Sequence, residues 1–170
     1  ARAHAAALFG LDPAKPTLLV TGGSQGAAGI NKLLFKSVPL LADKGIQIIH
    51  LTGRNDERLA AANYQREGIA HHVAPFHHRM EEAYSVADLV VSRAGASSLS
   101  ELCLFGLPSI LIPYPHATDD HQRANASILV SAGAAEMVAE KEAAPEPFAA
   151  LVAGLIGDPR RRESMAAAAK

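Results

Sequence analysis

The sequence predicts an α/β domain: a Rossmann-like, doubly wound parallel sheet of about six strands with helices on both faces. Three observations predict it. Short, continuously apolar runs alternate with amphipathic helical patterns along all 170 residues, the signature of strands buried on both faces. Apolar residues make up 49% of the chain but aromatics only 5%, so the core is built from Ala, Leu, Val and Ile. Two glycine-rich turns, Gly22-Gly23-Ser24-Gln25-Gly26-Ala27 and Gly95-Ala96-Ser97-Ser98-Leu99-Ser100-Glu101, each follow a strand-like run and open a helical one.

Taken in order, strand-like runs fall at 17–21, 46–52, 70–75, 89–92, 109–113 and 135–139. Helical patterns fall between them at 29–44, 57–67, 79–87, 97–105 and 119–132, and a last pair at 147–156 and from Pro159 onward closes the chain. Gly45, Gly68, Gly106 and Gly133 stand where a left-handed residue ends a helix. Thr118 or Asp119 suits the N-cap of the fifth helix. Pro39 lies inside the first helical pattern and predicts a kink or break there. The acidic stretch 140–147 reads as a surface connection, so the chain is expected to be one domain over residues 1–170.

Bulk properties narrow the function. A formal net charge of −1 gives no electrostatic case for nucleic acid. The run Arg160-Arg161-Arg162 reads as a solvated helix face. Cys103 is the single cysteine, so no internal disulfide exists; flanked by Leu102 and Leu104, it reads as a packed core thiol in a reducing compartment. No apolar run has the length of a membrane span, and no signal peptide is present. The chain begins at Ala1 without an initiator Met and stops in an Ala-rich stretch, which reads as an excised piece of a longer protein.

In a sheet of order 3-2-1-4-5-6, strands one and four are neighbours, and ligands bind outside their C-terminal ends. Both glycine turns therefore converge on one crevice. A helix N-terminus carries unpaired N–H groups and partial positive charge, which suits phosphate. In the first turn, Gly22 and Gly23 allow tight curvature while Ser24 and Gln25 add a hydroxyl and an amide. It is neither a Walker A loop nor the dinucleotide fingerprint, because no Gly-Lys-Ser/Thr follows and Ser24 stands at the second glycine position. The end of the second strand, His50-Leu51-Thr52, has no acid for a ribose 2′-hydroxyl, which disfavours NAD, although Arg54 could answer an NADP 2′-phosphate. In the second turn, Ser97 and Ser98 can turn amides to a pyrophosphate, and Glu101 on the same helical face can accept both hydroxyls of a ribose. The alternative is a capping box, with Ser98 as N-cap and Glu101 at N3. After the fifth strand, His121, Gln122 and Asn125 recur at helical spacing, suited either to sugar hydroxyls or to a solvated helix start.

His71, His72, His77 and His78 invite a metal reading, but adjacent strand residues point to opposite faces and no Cys or carboxylate completes a site, so no metal is expected. Gly22-Gly23-Ser24-Gln25-Gly26 matches a nucleophile elbow in its letters, but the chain lacks room for the order of that fold.

The blocks 22–27, 73–84, 92–101, 106–108 with Pro113, and 120–126 come in order at compatible spacing. Together they resemble the C-terminal, donor-binding half of the MurG family of GT-B glycosyltransferases, from about residue 16 to 139 and more weakly to the end. The resemblance implies binding of UDP-N-acetylglucosamine as the donor half of an inverting transferase that makes the lipid-linked peptidoglycan precursor. It implies that Gly23, Ser24, Gln25 and Gly26 meet the diphosphate and sugar. Phe76 and His77 would contact uracil, through backbone where His77 replaces the family's usual aliphatic residue, and Met80 would line the base pocket. Ala96, Ser97 and Ser98 would bind the diphosphate, Glu101 the ribose, and His121, Gln122 and Asn125 the N-acetylglucosamine. No cofactor is implied.

The half that carries the acceptor loop, proposed base and membrane patch is absent from this sequence. No catalytic residue is therefore expected in this chain, and the lipid-linked acceptor would be reached only through that missing N-terminal domain. The resemblance further implies a cytoplasmic protein whose full-length form is peripheral at the inner face of the cell membrane. Two alternatives stay open: a free-standing donor subunit of a two-chain UDP-N-acetylglucosamine transferase, and an NADP- or nucleotide-binding Rossmann domain without a transferase role.

Overall fold

A computed structural model describes residues 1–22, 27–115 and 121–170. The strands are β1 (Thr17–Thr21), β2 (Gln47–Leu51), β3 (His71–Ala74), β4 (Leu89–Ser92), β5 (Ser109–Leu111) and β6 (Ala135–Met137). All pair in parallel, in the order β3-β2-β1-β4-β5-β6. This is the order that the alternating pattern implied.

Period-two alternation sorts the strand residues onto two cores. Leu18 and Val20 of β1, Leu89 and Val91 of β4, and Ile110 of β5 face one side. There they meet α2 (Ala28–Leu41), α3 (Glu57–Arg66) and α7 (Pro145–Ile156). Leu19, Val90 and Leu111 face the other side. That side is covered by α1 (Arg2–Leu8), α4 (Met80–Val86), α5 (Ala96–Phe105) and α6 (His121–Ser131), and α8 (Pro159–Ala169) closes the chain. Apolar burial on both faces holds the sheet inside, each fully buried Leu, Ile or Val contributing about 1.5–3 kcal/mol.

Several local expectations are corrected. Helix α1 was not legible: it is seven residues long, without a side-chain cap, and its Ala-rich pattern has little periodicity. It is fixed instead by tertiary contacts. Ala5 and Ala6 are buried, and Arg2 forks onto Asp88 at 2.8 and 3.1 Å. Helix α2 runs unbroken through Pro39 to Leu41. The proline sits exposed in the last turn, where water can meet the carbonyl it leaves unpaired. Helix α7 starts at Pro145, two residues early, because proline is favoured at the first helical position. The stretch before it is not merely surface: Glu140–Glu142 forms a 3-10 turn, and Glu140 reaches inward to Arg93 at 2.7 Å.

Of the basic run, Arg161 pairs with Glu136, and Arg162 donates to the last-turn carbonyls of Leu155 (2.7 Å) and Ile156. These side chains are tied to the body of the protein and are not simply solvated. Cys103 is half-buried against the core. Gly45, Gly68, Gly106 and Gly133 all adopt positive φ. The caps expected at Thr118 and Asp119 lie outside the described residues.

Candidate functional site

At the switch point, Thr21 ends β1 directly beside Ser92 at the end of β4. A cavity of about 340 Å³ opens above these two strand ends, lined by Thr21, Gly22, Met80, Tyr84, Arg93, Gly95, Ser97, Ser98, Glu101 and Gln122. The sequence reading brought Met80, Ser97, Ser98, Glu101 and Gln122 to one place, and the cavity holds all five.

The first turn is shaped by contact as well as flexibility. A Cβ on Gly22 would fall 2.4 Å from the Ala27 Cβ, so the two ends of the turn touch and only glycine fits. Gly23, Ser24, Gln25 and Gly26 lie outside the described residues. Beyond them, the first turn of α2 meets the protein's own anion. A Cβ on Gly29 would lie 2.2 Å from Glu140 Oε1, so this carboxylate rests against the helix start, where negative charge is favoured. Arg93, 3% exposed, holds it there at 2.7 Å. The same guanidinium donates to the carbonyl of Ile112 at 3.2 Å and lies over the Tyr114 ring at 5.2 Å.

The second turn presents a different helix start. Gly95 is the N-cap of α5, and the first helical bond runs from Leu99 N–H to the Gly95 carbonyl at 3.1 Å. The amides of Ala96, Ser97 and Ser98 precede that bond and have no intrahelical acceptor. Ala96 and Ser97 are exposed, and Ser98 is half-buried. The capping-box alternative is corrected: Ser98 lies inside the helix, and Gly95 gives no side-chain cap. Glu101 instead accepts from the Tyr84 hydroxyl at 2.5 Å. Burial, reinforced by the bond to Glu101 and its charge, raises the Tyr84 pKa, so the phenol keeps its proton.

Helix α6 joins the strand-end loops. Gln122 Oε1 accepts from the Ala94 N–H at 3.1 Å and the Tyr114 N–H at 2.9 Å, tying the segment after β4 to the one after β5. Its Nε2 lies 3.8 Å from the Cβ position of Gly95, so the amide nitrogen stands beside the second turn. Asn125 donates to the Ala94 carbonyl at 3.1 Å. His121 stands exposed at the start of α6. Gln122 thus lines the cavity and, with Asn125, builds the loop, a role that helical spacing alone does not reveal; Asn125 and His121 do not line the cavity.

The segment after β3 divides. Met80 lines the cavity, whereas Phe76 is 51% exposed and does not. His77 bonds Glu82 at 3.0 Å and packs its ring 5.0 Å from that of Phe9. The other histidines are also engaged: His71 donates to the Ile69 carbonyl at 2.8 Å, and His72 meets Phe9 edge-on at 4.9 Å. Burial, with charge from His77 and His71, lowers the His72 pKa. Among the described residues, no three His, Cys, Asp or Glu side chains converge as a metal site would require.

A polar network stabilises the wall behind the first turn. Tyr64 donates to His50 Nδ1 at 2.6 Å, and His50 Nε2 donates to Asn31 Oδ1 at 2.7 Å. Asn31 Nδ2 then donates to the Thr52 carbonyl and to Asp56 Oδ2 at 2.9 and 2.8 Å. Every partner of the Asn31 amide nitrogen is an acceptor, which fixes its orientation and the His50 tautomer. Burial lowers the His50 pKa to about 3, so the ring is neutral.

Tyr84 and Arg93 line the cavity but were not among the expected site residues. Both leave a trace in the sequence. Arg93 is a lone charge directly after an all-apolar strand, and Tyr84 follows Met80 by one helical turn on the same face.

The family model of the glycosyltransferase family 28 C-terminal domain matches residues 17–170. Over 155 residues the chain is 43% identical to the UDP-N-acetylglucosamine–N-acetylmuramyl-(pentapeptide) pyrophosphoryl-undecaprenol N-acetylglucosamine transferase of Geobacter metallireducens, covering 90% of this chain and 43% of that protein. The crystal structure of Acinetobacter baumannii MurG superposes with a TM-score of 0.83 at 33% identity, over 92% of this chain and 45% of that one. The C-terminal CMP-Kdo binding domain of WaaA, also from A. baumannii, shares the fold at a TM-score of 0.67 and 10% identity, over 99% of this chain and 93% of that one. The chain spans less than half the length of the curated relatives it matches. No helix among the described residues is long and apolar enough to cross a membrane.

Proposed function

The chain belongs to the glycosyltransferase family 28 C-terminal domain family, and on that premise we propose that it is the UDP-N-acetylglucosamine-binding unit of a GT-B transferase. One observation carries the reading: an open helix start at Ala96–Ser98 and the carboxylate of Glu101 share the cavity above β1 and β4. Diphosphate needs N–H donors and positive potential; a ribose needs an acceptor for its hydroxyls.

Of the two helix starts, α5 takes the diphosphate, because the first turn of α2 already faces Glu140. Glu101 accepts the ribose hydroxyls, and Met80 supports the base beside the backbone of Phe76 and His77. Gly23, Ser24, Gln25 and Gly26 would contribute contacts to the diphosphate and sugar, with His121, Gln122 and Asn125 reading the N-acetylglucosamine. In the whole protein an acceptor hydroxyl would attack the anomeric carbon while UDP departs. The amides of α5 would stabilise charge growing on the leaving diphosphate. Residues 1–170 act as one donor-binding unit. The acceptor, the base and attachment to the inner face of the cell membrane belong to an N-terminal half. The 43% identity to an enzyme named for this transfer supports the donor and the reaction.

Calorimetric titration of UDP-N-acetylglucosamine into the chain and into Glu101→Ala tests the reading. Saturable binding that the substitution weakens at least tenfold supports it; binding indifferent to Glu101 contradicts it. Transfer of labelled sugar to a lipid-linked acceptor by this chain alone would contradict the assignment of attack to the other half.

A further inference from the structure

We propose that Tyr84 is a positioning residue for Glu101, holding its carboxylate so that the cavity selects an intact ribose over a 2′-deoxyribose. The inference rests on the ribose-binding reading of Glu101 given above. Tyr84 lies on α4 and Glu101 on α5, and the hydroxyl reaches Oε2 at 2.5 Å. Both residues line the cavity.

A glutamate on a helix surface samples several rotamers, and an acceptor that wanders discriminates poorly. Tyr84 removes that freedom. It is 5% exposed, and its ring packs 5.1 Å from that of Phe105, so the hydroxyl is a fixed point. The raised phenol pKa keeps it a donor at every working pH.

An ionised carboxylate offers about four acceptor positions. Tyr84 takes one on Oε2 and leaves enough for two vicinal hydroxyls. A 2′-deoxyribose supplies one hydroxyl and leaves a desolvated carboxylate position unmet, which costs about tenfold or more in affinity. The same fixed negative charge rejects a phosphorylated ribose.

The test is calorimetric titration of UDP and 2′-deoxy-UDP into the wild-type chain, Tyr84→Phe, Glu101→Gln and Phe105→Leu. The ratio of the two affinities is the readout, because a merely structural loss weakens both ligands alike. The wild type should prefer UDP by about tenfold or more, the worth of one hydrogen bond to a charged acceptor. Tyr84→Phe keeps the ring packing but should shrink the ratio at least threefold. Phe105→Leu loosens the packing that fixes the Tyr84 ring, so it should lower the melting temperature and shrink the ratio, by less than Tyr84→Phe. If Tyr84→Phe fails to fold, Tyr84→Met also lacks the hydroxyl and carries the same expectation. A collapsed ratio in Glu101→Gln beside an unchanged one in the Tyr84 variant would overturn the positioning role and leave the ribose reading standing. UDP binding unaffected by Glu101→Gln would overturn both.

Discussion

Glu140 is pressed so closely on Gly29 that a methyl group on the glycine would fall 2.2 Å from the glutamate Oε1. The carboxylate cannot swing aside cheaply, because Arg93, 3% exposed, holds it at 2.7 Å. Moving it would take the carboxylate away from a buried guanidinium.

Glycine to alanine inside a helix ordinarily gains about 0.5–1 kcal/mol. Gly29→Ala should instead lose about 1–3 kcal/mol, the usual range for overpacking. The loss should disappear when Glu140 is also replaced by Ala, since the clashing atoms are gone. A double-mutant cycle in urea measures this coupling directly.

Gln122 separates the building of the site from its chemistry. Its Oε1 serves two backbone N–H groups, of Ala94 and Tyr114. Gln122→Leu leaves both unmet and should destabilise by about 2 kcal/mol or more. Gln122→Glu keeps the acceptor and should melt close to the wild type. It adds negative charge to a cavity meant for a diphosphate, so UDP affinity should fall about tenfold or more. Melting curves and calorimetry on the two variants check the split.

Acid should expose the buried His50. Its folded pKa is lowered from 6.5 to about 3, so below pH 6.5 the unfolded chain takes up a proton that the native ring refuses. Its contribution to stability is complete above pH 6.5 and is lost as pH falls from there toward 3. The expected slope is about 1.4 kcal/mol per pH unit. His50→Gln can still donate to Asn31 and accept from Tyr64 without titrating, so its stability should fall less steeply. Urea midpoints of both proteins between about pH 6 and 4.5 give the comparison.

Strand order and the meeting of Gly22 and Gly95 at one cavity were legible because unbroken apolar strands with helices between them leave few topologies. Glycines at helix ends were legible for a similarly local reason. Helix α1 was not, since Arg2 and Asp88 fix it across the fold, and no local propensity does. The site was half legible. Glu101, Ser97 and Ser98 announce themselves by chemistry and spacing. Tyr84 joins them through a bond to Glu101 that spans two helices, and Glu140, read as part of a surface stretch, turns inward to an arginine that sequence distance hides. Gln122 and Asn125 have a second, structural role that sequence does not show, since backbone groups of the strand-end loops bond some of their amide atoms.

The cavity above β1 and β4 is proposed to hold a uridine diphosphate. Parallel calorimetric titration of the chain with UDP and with NADP tests this proposal most directly. Saturable UDP binding that Glu101→Ala weakens at least tenfold is expected, with NADP weaker than UDP. Tighter binding of NADP than UDP would contradict the proposal.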